Sequence, residues 1–349
     1  MPTGTDELPS DTLTRAIDAL ASGRDLAQQE ASSVLAEIMA GDASEVQIAA
    51  FLIALRTKGE TVDELAGLAA TMRALATPVP CASRDLVDTA GTGGGRPTFN
   101  VSTTAALIAA GAGCALAKHG NRSATGLSGS ADVLEALGAR IDLPPDAVAR
   151  CIDEAGFGFM FAPVHHQATR FVVPVRRELA VRTIFNFLGP LTNPAGARRQ
   201  LIGVSEPAYL ERIAGALARL GVDRALVVSS EDGLDEMSTS APTYVVEVNG
   251  DAIERYVVAP QDLGLDVATP DAVTGGTPDA NAATARAILG GEPGPRADLA
   301  VLNAGAAIYA AAVADSLEEG VDAAREAVDS GAARRATEAY VELSRRLAP

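Results

Sequence analysis

The middle of the chain alternates short apolar segments with segments of helical periodicity, and this order constrains the fold more than any other feature of the sequence. The apolar segments lie at residues 85–88, 114–117, 157–161, 201–204 and 225–228. The helical segments between them lie at residues 102–110, 132–137, 146–154 and 209–220. Because strands that alternate with helices pair in parallel, this order predicts an α/β domain with a mostly parallel central sheet covered by helices.

Different patterns flank this region. Residues 243–248 and 252–258 alternate apolar and polar side chains around Asn249-Gly250, which predicts an antiparallel hairpin at an edge of the sheet. Residues 280–349 are rich in alanine and predict helices. Residues 1–76 predict four short helices, two of which begin with capping boxes, Ser44 with Gln47 and Thr61 with Glu64.

The domain organisation follows from these patterns. A proline-containing linker at residues 77–81 separates the helical region from the α/β region. We therefore predict a small helical N-terminal domain at residues 1–80, joined by helices from about 165–190. A larger α/β domain is predicted at residues 81–349. The total length of 349 residues is typical of two domains.

Composition excludes several classes of protein. The net charge of −17 argues against duplex nucleic acid or an anionic membrane as a partner, because both attract clustered lysine and arginine. Aromatic residues make up 4% of the chain and tryptophan is absent, so little material is available for a base-stacking surface. The three cysteines form no CxxC pair, which argues against a zinc site and favours a reducing cytoplasm. The longest apolar stretch and the acidic N-terminus predict neither a membrane span nor a secretory signal.

A glycine-rich turn follows the first predicted strand. Its N–H groups, at Gly91, Gly93, Gly94 and Gly95, could surround an anion without obstruction by side chains. Hydroxyl and amide side chains follow at a helix N-terminus, which also favours phosphate: Thr98, Asn100, Ser102 and Thr103. The turn is neither a P-loop nor a dinucleotide fingerprint, since Arg96 stands where a third glycine would be needed. On the glycines alone, an ordinary tight turn with a helix cap is an equally good interpretation.

Two further polar clusters follow predicted strands. Residues 118–122, Lys-His-Gly-Asn-Arg, contain one of only two lysines in the chain and come where α/β sheets place ligands. A solvated charged loop is the alternative interpretation of this cluster. Asp232, Asp235 and Glu236 follow the strand at 225–228 and could share Mg²⁺ with substrate phosphates, although a chain this acidic also carries such loops on its surface.

The remaining cluster is basic. His165 and His166 have no third ligand at metal spacing, so a structural or substrate-facing role is favoured over a metal site. Arg176 and its neighbours could bind a substrate carboxylate, or form surface salt bridges. No nucleophile elbow is present, and the motifs together suit group transfer at a phosphorylated sugar better than hydrolysis.

Six motifs, in order over nearly the whole chain, resemble the anthranilate phosphoribosyltransferase family. They are GTGG at 91–94, TFNVST at 98–103, KHGNR at 118–122, GSAD at 129–132, RTIFNFLGPLTNP at 182–194 and DGLDE at 232–236. The resemblance implies transfer of phosphoribosyl from 5-phosphoribosyl 1-diphosphate to anthranilate in tryptophan synthesis. It also implies Mg²⁺, with two ions per monomer, a homodimer, and a fold of the nucleoside phosphorylase/phosphoribosyltransferase type.

The resemblance also implies roles for particular residues. Those expected to bind phosphoribosyl diphosphate are Gly91, Gly94, Gly95, Thr98, Asn100, Val101, Ser102, Thr103, Lys118 and Ser130. Those expected at anthranilate are Gly91, His119, Asn121 and Arg176, with residues 162–163 along its path. Those expected to bind Mg²⁺ are Ser102, Asp235 and Glu236. No catalytic acid or base is expected, because anthranilate's amine is already neutral at pH 7 and needs mainly positioning.

Three departures from the family pattern stand out. The family usually has GTGGDG, but here Gly95 runs directly into Arg96, so one carboxylate is missing. Thr125-Gly126 replaces the usual pair of serines after KHGNR, which removes a hydroxyl. The neighbours of His166 also differ from the family's usual residues.

Alternative functions stay open at this point. They are transfer to a substituted aminobenzoate, pyrimidine nucleoside phosphorolysis on the same fold, and a non-catalytic nucleic-acid-binding role that the net charge disfavours. Because the implied substrates are anions and the chain is acidic, positive charge must be concentrated locally. We expect Lys118, Arg122 and Arg176 to provide it together with Mg²⁺.

Overall fold

The computed structural model describes residues 11–123 and 126–349. The chain forms two compact units. The helical unit contains residues 11–76 and 166–188, and the α/β unit contains residues 77–165 and 189–349. The domain boundaries at 80 and 81 stay a prediction. Among the described residues, no helix is long and apolar enough to cross a membrane.

The described elements are fifteen α-helices, seven strands and four short 3-10 helices. The α-helices are α1 Asp11–Ala21, α2 Gln28–Ala40, α3 Glu45–Lys58, α4 Val62–Leu75, α5 Val101–Gly111, α6 Ser130–Leu137, α7 Pro145–Ala155, α8 Ala162–His165, α9 Val173–Leu179, α10 Phe185–Leu191, α11 Leu210–Arg219, α12 Pro278–Leu289, α13 Pro295–Ala310, α14 Leu317–Asp329 and α15 Ala332–Leu347. The strands are β1 Leu86–Gly91, β2 Ala115–Gly120, β3 Phe157–Phe161, β4 Arg199–Gly203, β5 Arg224–Ser230, β6 Thr243–Asn249 and β7 Ala252–Val258. The 3-10 helices are Gln167–Phe171, Pro207–Tyr209, Pro260–Leu263 and Pro270–Val273.

The helical unit begins with the four predicted helices, and both predicted capping boxes are present at the starts of α3 and α4. Glu64, in the second box, is fully buried and also accepts hydrogen bonds from the Leu26 N–H (2.9 Å) and the Lys58 ammonium (3.0 Å). A buried carboxylate is tolerated only when its oxygens are satisfied in this way. The apolar faces of α1 to α4 meet around side chains such as Phe51 and Leu35.

The α/β unit is built on one seven-stranded sheet in the order β3-β2-β1-β4-β5-β6-β7. The first five strands of this order pair in parallel, and β6 and β7 add an antiparallel hairpin at one edge. Gly250 turns this hairpin with a φ of +57°, a region that favours glycine. The predicted fold class, a small helical domain and a larger α/β domain with a mostly parallel sheet, is confirmed.

The alanine-rich C-terminal segment is helical, as predicted; α13 and α15 pack on the sheet, and α12 and α14 pack against these two helices. Small residues let these helices approach closely. A Cβ at Gly111 of α5 would lie 2.4 Å from the Ala333 Cα of α15, and a Cβ at Gly305 of α13 would lie 2.6 Å from the Val321 nitrogen of α14. Glycine at both positions is therefore required by the packing.

The strand order fixes where a ligand can bind. The chain builds β1, β2 and β3 in one direction and then returns to the other side of β1 with β4. In parallel α/β sheets, ligands bind beside the carboxyl ends of the two strands at which the order reverses in this way, here β1 and β4. Gly91 and Gly203 are paired at these two strand ends.

Candidate active site

Four loops meet at the carboxyl edge of the parallel strands. The glycine turn (residues 91–95) follows β1, the KHGNR segment spans the end of β2, Ser205 follows β4, and the acidic loop (residues 231–236) follows β5. The three motifs that the sequence places after strands therefore come together on one edge of the sheet. This is the position at which parallel α/β sheets bind ligands.

The glycine turn has the backbone of an anion site. Gly93 and Gly94 have φ values of +64° and +87°, which place successive N–H groups on one side of the chain. Ser205 holds the turn from β4, since its hydroxyl donates to the Gly93 carbonyl (2.8 Å) and its N–H donates to the Thr92 hydroxyl (3.2 Å). Ser205 thus helps to fix the shape of the turn through the Gly93 carbonyl and the Thr92 hydroxyl, without engaging a glycine N–H group.

The acidic loop lies directly against glycine backbone. A Cβ at Gly203 would lie 1.5 Å from the Asp235 carbonyl oxygen, and a Cβ at Gly95 would lie 2.5 Å from the Asp235 carboxylate. The Gly93 N–H donates to the other carboxylate oxygen of Asp235 at 2.9 Å. A glycine at the end of β4 and a glycine of the turn after β1 therefore create the space that Asp235 occupies.

Lys118 is buried beneath the glycine turn, with 2% of its surface exposed. Its ammonium donates to the Thr89 carbonyl (2.5 Å), the Thr89 hydroxyl (3.1 Å) and the Ser102 hydroxyl (3.3 Å). Burial lowers the pKa of Lys118 to about 8, and the carboxylates of Asp88 and Glu236 oppose that shift. Lys118 is therefore a desolvated cation, which attracts a phosphate more strongly than a solvated one does.

Asp88 is a site residue that the sequence analysis missed. It is fully buried on β1 and accepts hydrogen bonds from the His119 N–H (3.1 Å) and the Asn193 amide (2.8 Å). The same amide donates to the Ala117 carbonyl at 2.7 Å. Burial raises the pKa of Asp88 to about 6, while the charge of Lys118 lowers it. Asp88 thus links β1, β2 and the LTNP segment below the site.

The N-terminus of α5 supplies two predicted hydroxyls. Ser102 accepts from Lys118, as above. The Thr103 hydroxyl is buried and has no hydrogen-bond partner within the described part of the chain. A buried hydroxyl without a partner is unfavourable, and its usual explanation is an absent ligand or water. Val101 is buried at the first position of the helix and anchors it in the core.

Glu236 fits a site for a hard cation. One of its carboxylate oxygens is buried and has no hydrogen-bond partner among residues 11–123 and 126–349. Burial raises the pKa of Glu236 well above its ordinary value, and Asp235 and Asp232 raise it further. The same residues contain no group of three or more His, Cys, Asp or Glu side chains that could hold a metal alone. A cation here would therefore depend on other oxygen donors, such as the Ser102 hydroxyl and substrate phosphates.

Two other predicted residues, Asn100 and Ser130, hold the surrounding loops. The Asn100 amide donates to the Ser128 carbonyl (3.1 Å), and its oxygen accepts from Asn281 (2.8 Å), a buried residue that the sequence analysis missed. The Ser130 hydroxyl donates to the Asn121 carbonyl (3.2 Å). Thr98 is half-buried beyond the glycine turn. Thr125, one of the departures from the family pattern, lies outside the described residues.

Arg122 does not supply free positive charge. Its guanidinium pairs with Glu135 (2.5 and 2.9 Å) and with Asp132 (2.8 Å), both on α6. It also lies over the Phe161 ring at 5.7 Å. The expectation that Arg122 concentrates positive charge at the site is therefore wrong, because two carboxylates neutralise it.

The predicted acceptor residues belong to both units. His119 and Asn121 are in the α/β unit, where the His119 ring contacts the Gly189 carbonyl at 3.2 Å. Arg176 lies on α9 in the helical unit, 5.4 Å from the Phe185 ring. Burial lowers the pKa of Arg176, and no carboxylate pairs with it among the described residues. Its guanidinium is thus available to an external carboxylate.

The structure thus brings most of the predicted phosphate and metal residues to one edge of the sheet, and their roles stay predictions. It adds Asp88, Asn193, Ser205 and Asn281. An aspartate in an apolar strand is a signal that could have identified Asp88. Ser205 and Asn281 lie in ordinary loop and helix sequence, which gives no such signal.

The fold and this site define a glycosyltransferase of two domains. Residues 83–334 match the family described as "Glycosyl transferase family, a/b domain", and residues 14–76 match "Glycosyl transferase family, helical bundle domain". The anthranilate phosphoribosyltransferase of Rubrobacter xylanophilus is 53% identical over 338 residues, covering 96% of this chain and 98% of the relative.

Solved structures agree. The anthranilate phosphoribosyltransferase of Thermus thermophilus is 48% identical with a TM-score of 0.90, covering 95% of this chain and 99% of its own. The enzyme of Saccharomyces cerevisiae, in complex with PRPP and Mg, is 26% identical with a TM-score of 0.88, covering 97% and 99%. The chain belongs to the anthranilate phosphoribosyltransferase family.

Proposed function

We propose that the enzyme transfers the 5-phosphoribosyl group from 5-phosphoribosyl 1-diphosphate to the amine of anthranilate. The products are N-(5-phosphoribosyl)anthranilate and pyrophosphate, in the synthesis of tryptophan. One observation carries this proposal: a glycine turn, a buried lysine and a pair of adjacent carboxylates meet at the switch point of one mostly parallel sheet. A sugar diphosphate with a bound divalent cation needs this combination of donors and acceptors.

Phosphoribosyl diphosphate would bind along the glycine turn and the start of α5. N–H groups of Gly91, Gly94 and Gly95 would donate to phosphate oxygens, and Lys118, whose three N–H groups already have acceptors, would contribute its positive charge. The Thr103 hydroxyl, which has no partner in the described structure, supports this assignment, since a phosphate oxygen would satisfy it. The complete proposed set is Gly91, Gly94, Gly95, Thr98, Asn100, Val101, Ser102, Thr103, Lys118 and Ser130.

Mg²⁺ would be held by Ser102, Asp235 and Glu236 together with the diphosphate, with two ions per monomer. The buried Glu236 oxygen, which lacks a partner among the described residues, supports this assignment. When bound, Mg²⁺ supplies positive charge that stabilises the departing pyrophosphate. The presence of Mg and PRPP in the yeast relative agrees with the proposal.

Anthranilate would be oriented by Arg176, Asn121, His119 and the backbone of Gly91. The guanidinium of Arg176, which no carboxylate of the described chain occupies, suits the carboxylate of anthranilate because it can form two parallel charged hydrogen bonds. Asn121 and His119 offer polar groups at the end of β2.

The reaction requires little acid–base catalysis by the protein. The bond between the anomeric carbon and the diphosphate breaks through an oxocarbenium-like state, and negative charge grows on the departing oxygen. Lys118 and the fixed N–H groups of the glycine turn would stabilise that charge. The neutral aromatic amine then attacks the anomeric carbon and loses its proton to solvent. Positioning of the two substrates therefore provides most of the remaining rate enhancement.

The test is direct. Purified protein is mixed with 5-phosphoribosyl 1-diphosphate, Mg²⁺ and anthranilate, and the loss of anthranilate fluorescence is followed. Loss that requires all three components supports the proposal. Turnover of only a substituted aminobenzoate, or phosphorolysis of thymidine or uridine without anthranilate turnover, would refute it.

We also propose that the enzyme is a homodimer that works in the cytoplasm. Light scattering of the purified protein tests the assembly, with twice the chain mass of 35.6 kDa as the expected result. A monomer at micromolar concentration would contradict this part of the proposal.

A further inference from the structure

Arg96 joins the glycine turn to the acidic loop. Its guanidinium donates to an Asp232 carboxylate oxygen at 2.9 Å and to the Pro270 carbonyl at 2.7 Å. Its backbone N–H donates to the Gly233 carbonyl at 2.9 Å. One residue, directly after the last glycine of the turn, thus makes two contacts with the loop after β5 and a third with residue 270.

Both carboxylate oxygens of Asp232 accept hydrogen bonds from the protein itself. The oxygen that faces Arg96 also accepts from the Ser238 hydroxyl at 2.9 Å, and the other oxygen accepts from the Leu234 N–H at 3.4 Å. The side chains of Arg96 and Asp232 are 22% and 11% exposed, so solvent screens this pair less than an ordinary surface pair. Asp232 therefore stabilises the acidic loop, and Asp235 and Glu236 are the carboxylates of this loop that would bind a cation.

The two loops must keep a fixed separation for the proposed reaction. The glycine turn would hold the diphosphate and the acidic loop would hold Mg²⁺ on that diphosphate. When groups that act together on one substrate are displaced from each other by about 1 Å, the reaction rate can fall by about a hundredfold. The hydrogen bond from the Gly93 N–H to Asp235 also joins the loops, but the cation itself would engage that carboxylate. The contacts of the Arg96 side chain involve neither Asp235 nor Glu236, the two carboxylates proposed to bind the cation.

We propose that Arg96 is a positioning residue: by pairing with Asp232, it holds the acidic loop against the glycine turn so that both loops can bind the metal-bound diphosphate. This inference rests on the proposed function for its catalytic consequence. The connection itself exists without substrates and can be tested without them. A Cβ at Gly95 would already lie 2.9 Å from the Asp235 nitrogen, which shows how closely the two loops lie beside Arg96.

The first experiment measures amide hydrogen exchange in the free full-length protein. Arg96→Ala and Asp232→Asn should each speed exchange at least about tenfold in residues 231–240, the amount expected when one charged hydrogen bond is lost. Arg96→Lys should give a smaller increase, since a single ammonium can keep one of the two side-chain contacts. The control is Arg255→Ala, which removes an exposed pair with Glu211 and should leave this segment unchanged.

The second experiment measures kinetics. In Arg96→Ala, the Mg²⁺ concentration for half-maximal rate and the KM for phosphoribosyl diphosphate should each rise about tenfold or more, while the KM for anthranilate stays within about twofold. The double variant with Asp232→Asn should be no worse than Arg96→Ala alone, because both changes break one pair. If Arg96→Ala does not fold, Arg96→Lys and Asp232→Asn give the same comparison.

Two outcomes would overturn the inference. One is wild-type exchange in residues 231–240 of Arg96→Ala, and the other is an unchanged Mg²⁺ and diphosphate dependence in that variant. Failure of the wild-type protein to consume anthranilate would instead refute the proposed function, and the exchange experiment would still decide whether Arg96 holds the loop.

Discussion

The backbone N–H of Gly93 donates a hydrogen bond to the carboxylate of Asp235 at 2.9 Å, so a negative oxygen already lies on the glycine turn. Amides arranged in this way bind anions of any source, and here the anion is a side chain of the protein itself. A phosphate that binds at this amide would compete with Asp235. We therefore expect the diphosphate to displace the carboxylate, which then becomes available to the metal ion.

Glu236→Ala should lose Mg²⁺-dependent activity, because it removes the carboxylate whose buried oxygen has no partner in the described structure. The measurement is the rate of anthranilate consumption against Mg²⁺ concentration. Glu231→Ala is the matched control, since Glu231 is exposed and its carboxylate accepts from the Tyr244 hydroxyl at 2.7 Å. Full activity of Glu236→Ala at ordinary Mg²⁺ would rule out its metal role.

Gly203→Ala should displace the acidic loop, since the new methyl carbon would lie 1.5 Å from the Asp235 carbonyl oxygen. We expect kcat/KM to fall by about a hundredfold and the free energy of unfolding to fall by about 1–3 kcal/mol, the cost of overpacking. Steady-state kinetics and urea unfolding measure the two effects. Gly276→Ala is the control, because its methyl would meet Ala280 at an ordinary 3.4 Å. Wild-type kinetics in Gly203→Ala would contradict the prediction.

Thr103→Val should weaken the binding of phosphoribosyl diphosphate without lowering the stability of the protein. It replaces a buried hydroxyl, unpartnered within the described chain, by a methyl group, so the free energy of unfolding should stay constant or rise by about 1 kcal/mol. The affinity for phosphoribosyl diphosphate should fall by about three- to tenfold. Thr104→Val provides the contrast, because the Thr104 hydroxyl donates to the Asn100 carbonyl at 3.0 Å and its loss should destabilise the protein. Equal destabilisation in both variants would count against a ligand at Thr103.

Asp88→Asn should change how stability depends on pH. The folded pKa of Asp88 is about 6, above the value of 3.8 for the unfolded chain, so the folded state holds a proton that the unfolded state has lost between these pH values. The contribution of Asp88 is therefore fully present below pH 4 and is lost as pH rises through 6, by about 2–3 kcal/mol. Urea unfolding of both proteins from pH 4 to 7 should show this fall only in the wild type. If the free energy of unfolding changes with pH in the same way in both proteins, burial does not raise the pKa of Asp88.

Arg176→Ala should weaken the use of anthranilate by about 2–4 kcal/mol in kcat/KM, the scale of charged hydrogen bonds to a carboxylate. The KM for phosphoribosyl diphosphate should change little. Arg177→Ala is the neighbouring control, because Arg177 is exposed on the same helix. An unchanged KM for anthranilate in Arg176→Ala would exclude the proposed contact.

The sequence predicted the elements of the fold well where local signals are strong. The capping boxes at Ser44 and Thr61 begin α3 and α4, and Asn249-Gly250 turns the hairpin of β6 and β7. These signals depend on interactions within a few residues, which the sequence contains in full. The order of the strands could not be predicted in this way, because pairing of β1 with β4 joins residues about 110 positions apart.

In the candidate site, too, local sequence motifs could be predicted and long-range contacts could not. Motifs identified Lys118 and Glu236, but their burial and perturbed pKa values depend on the packing around them and on charges that include Asp88 on β1 and Arg96 after the glycine turn. Asn281 reaches Asn100 across 181 residues of sequence, and no local pattern indicates such a contact. Arg122 pairs with Asp132 and Glu135, only 10 and 13 residues away, but the sequence does not show which neighbouring carboxylates its guanidinium contacts.

The sequence by itself therefore determined which chemical groups the protein brings to its reaction: the glycine turn, one lysine, adjacent carboxylates and an arginine. Only the tertiary structure decided which of them are buried, paired or left unpartnered in the described chain. Arg96 is the clearest case, because the sequence shows only that a cation directly follows the glycine turn. Its contacts with Asp232 and Pro270 exist because the strand order brings loops more than about 130 residues apart to one edge of the sheet. Burial and partner choice are properties of that assembly, and they set the charge of each group at the site.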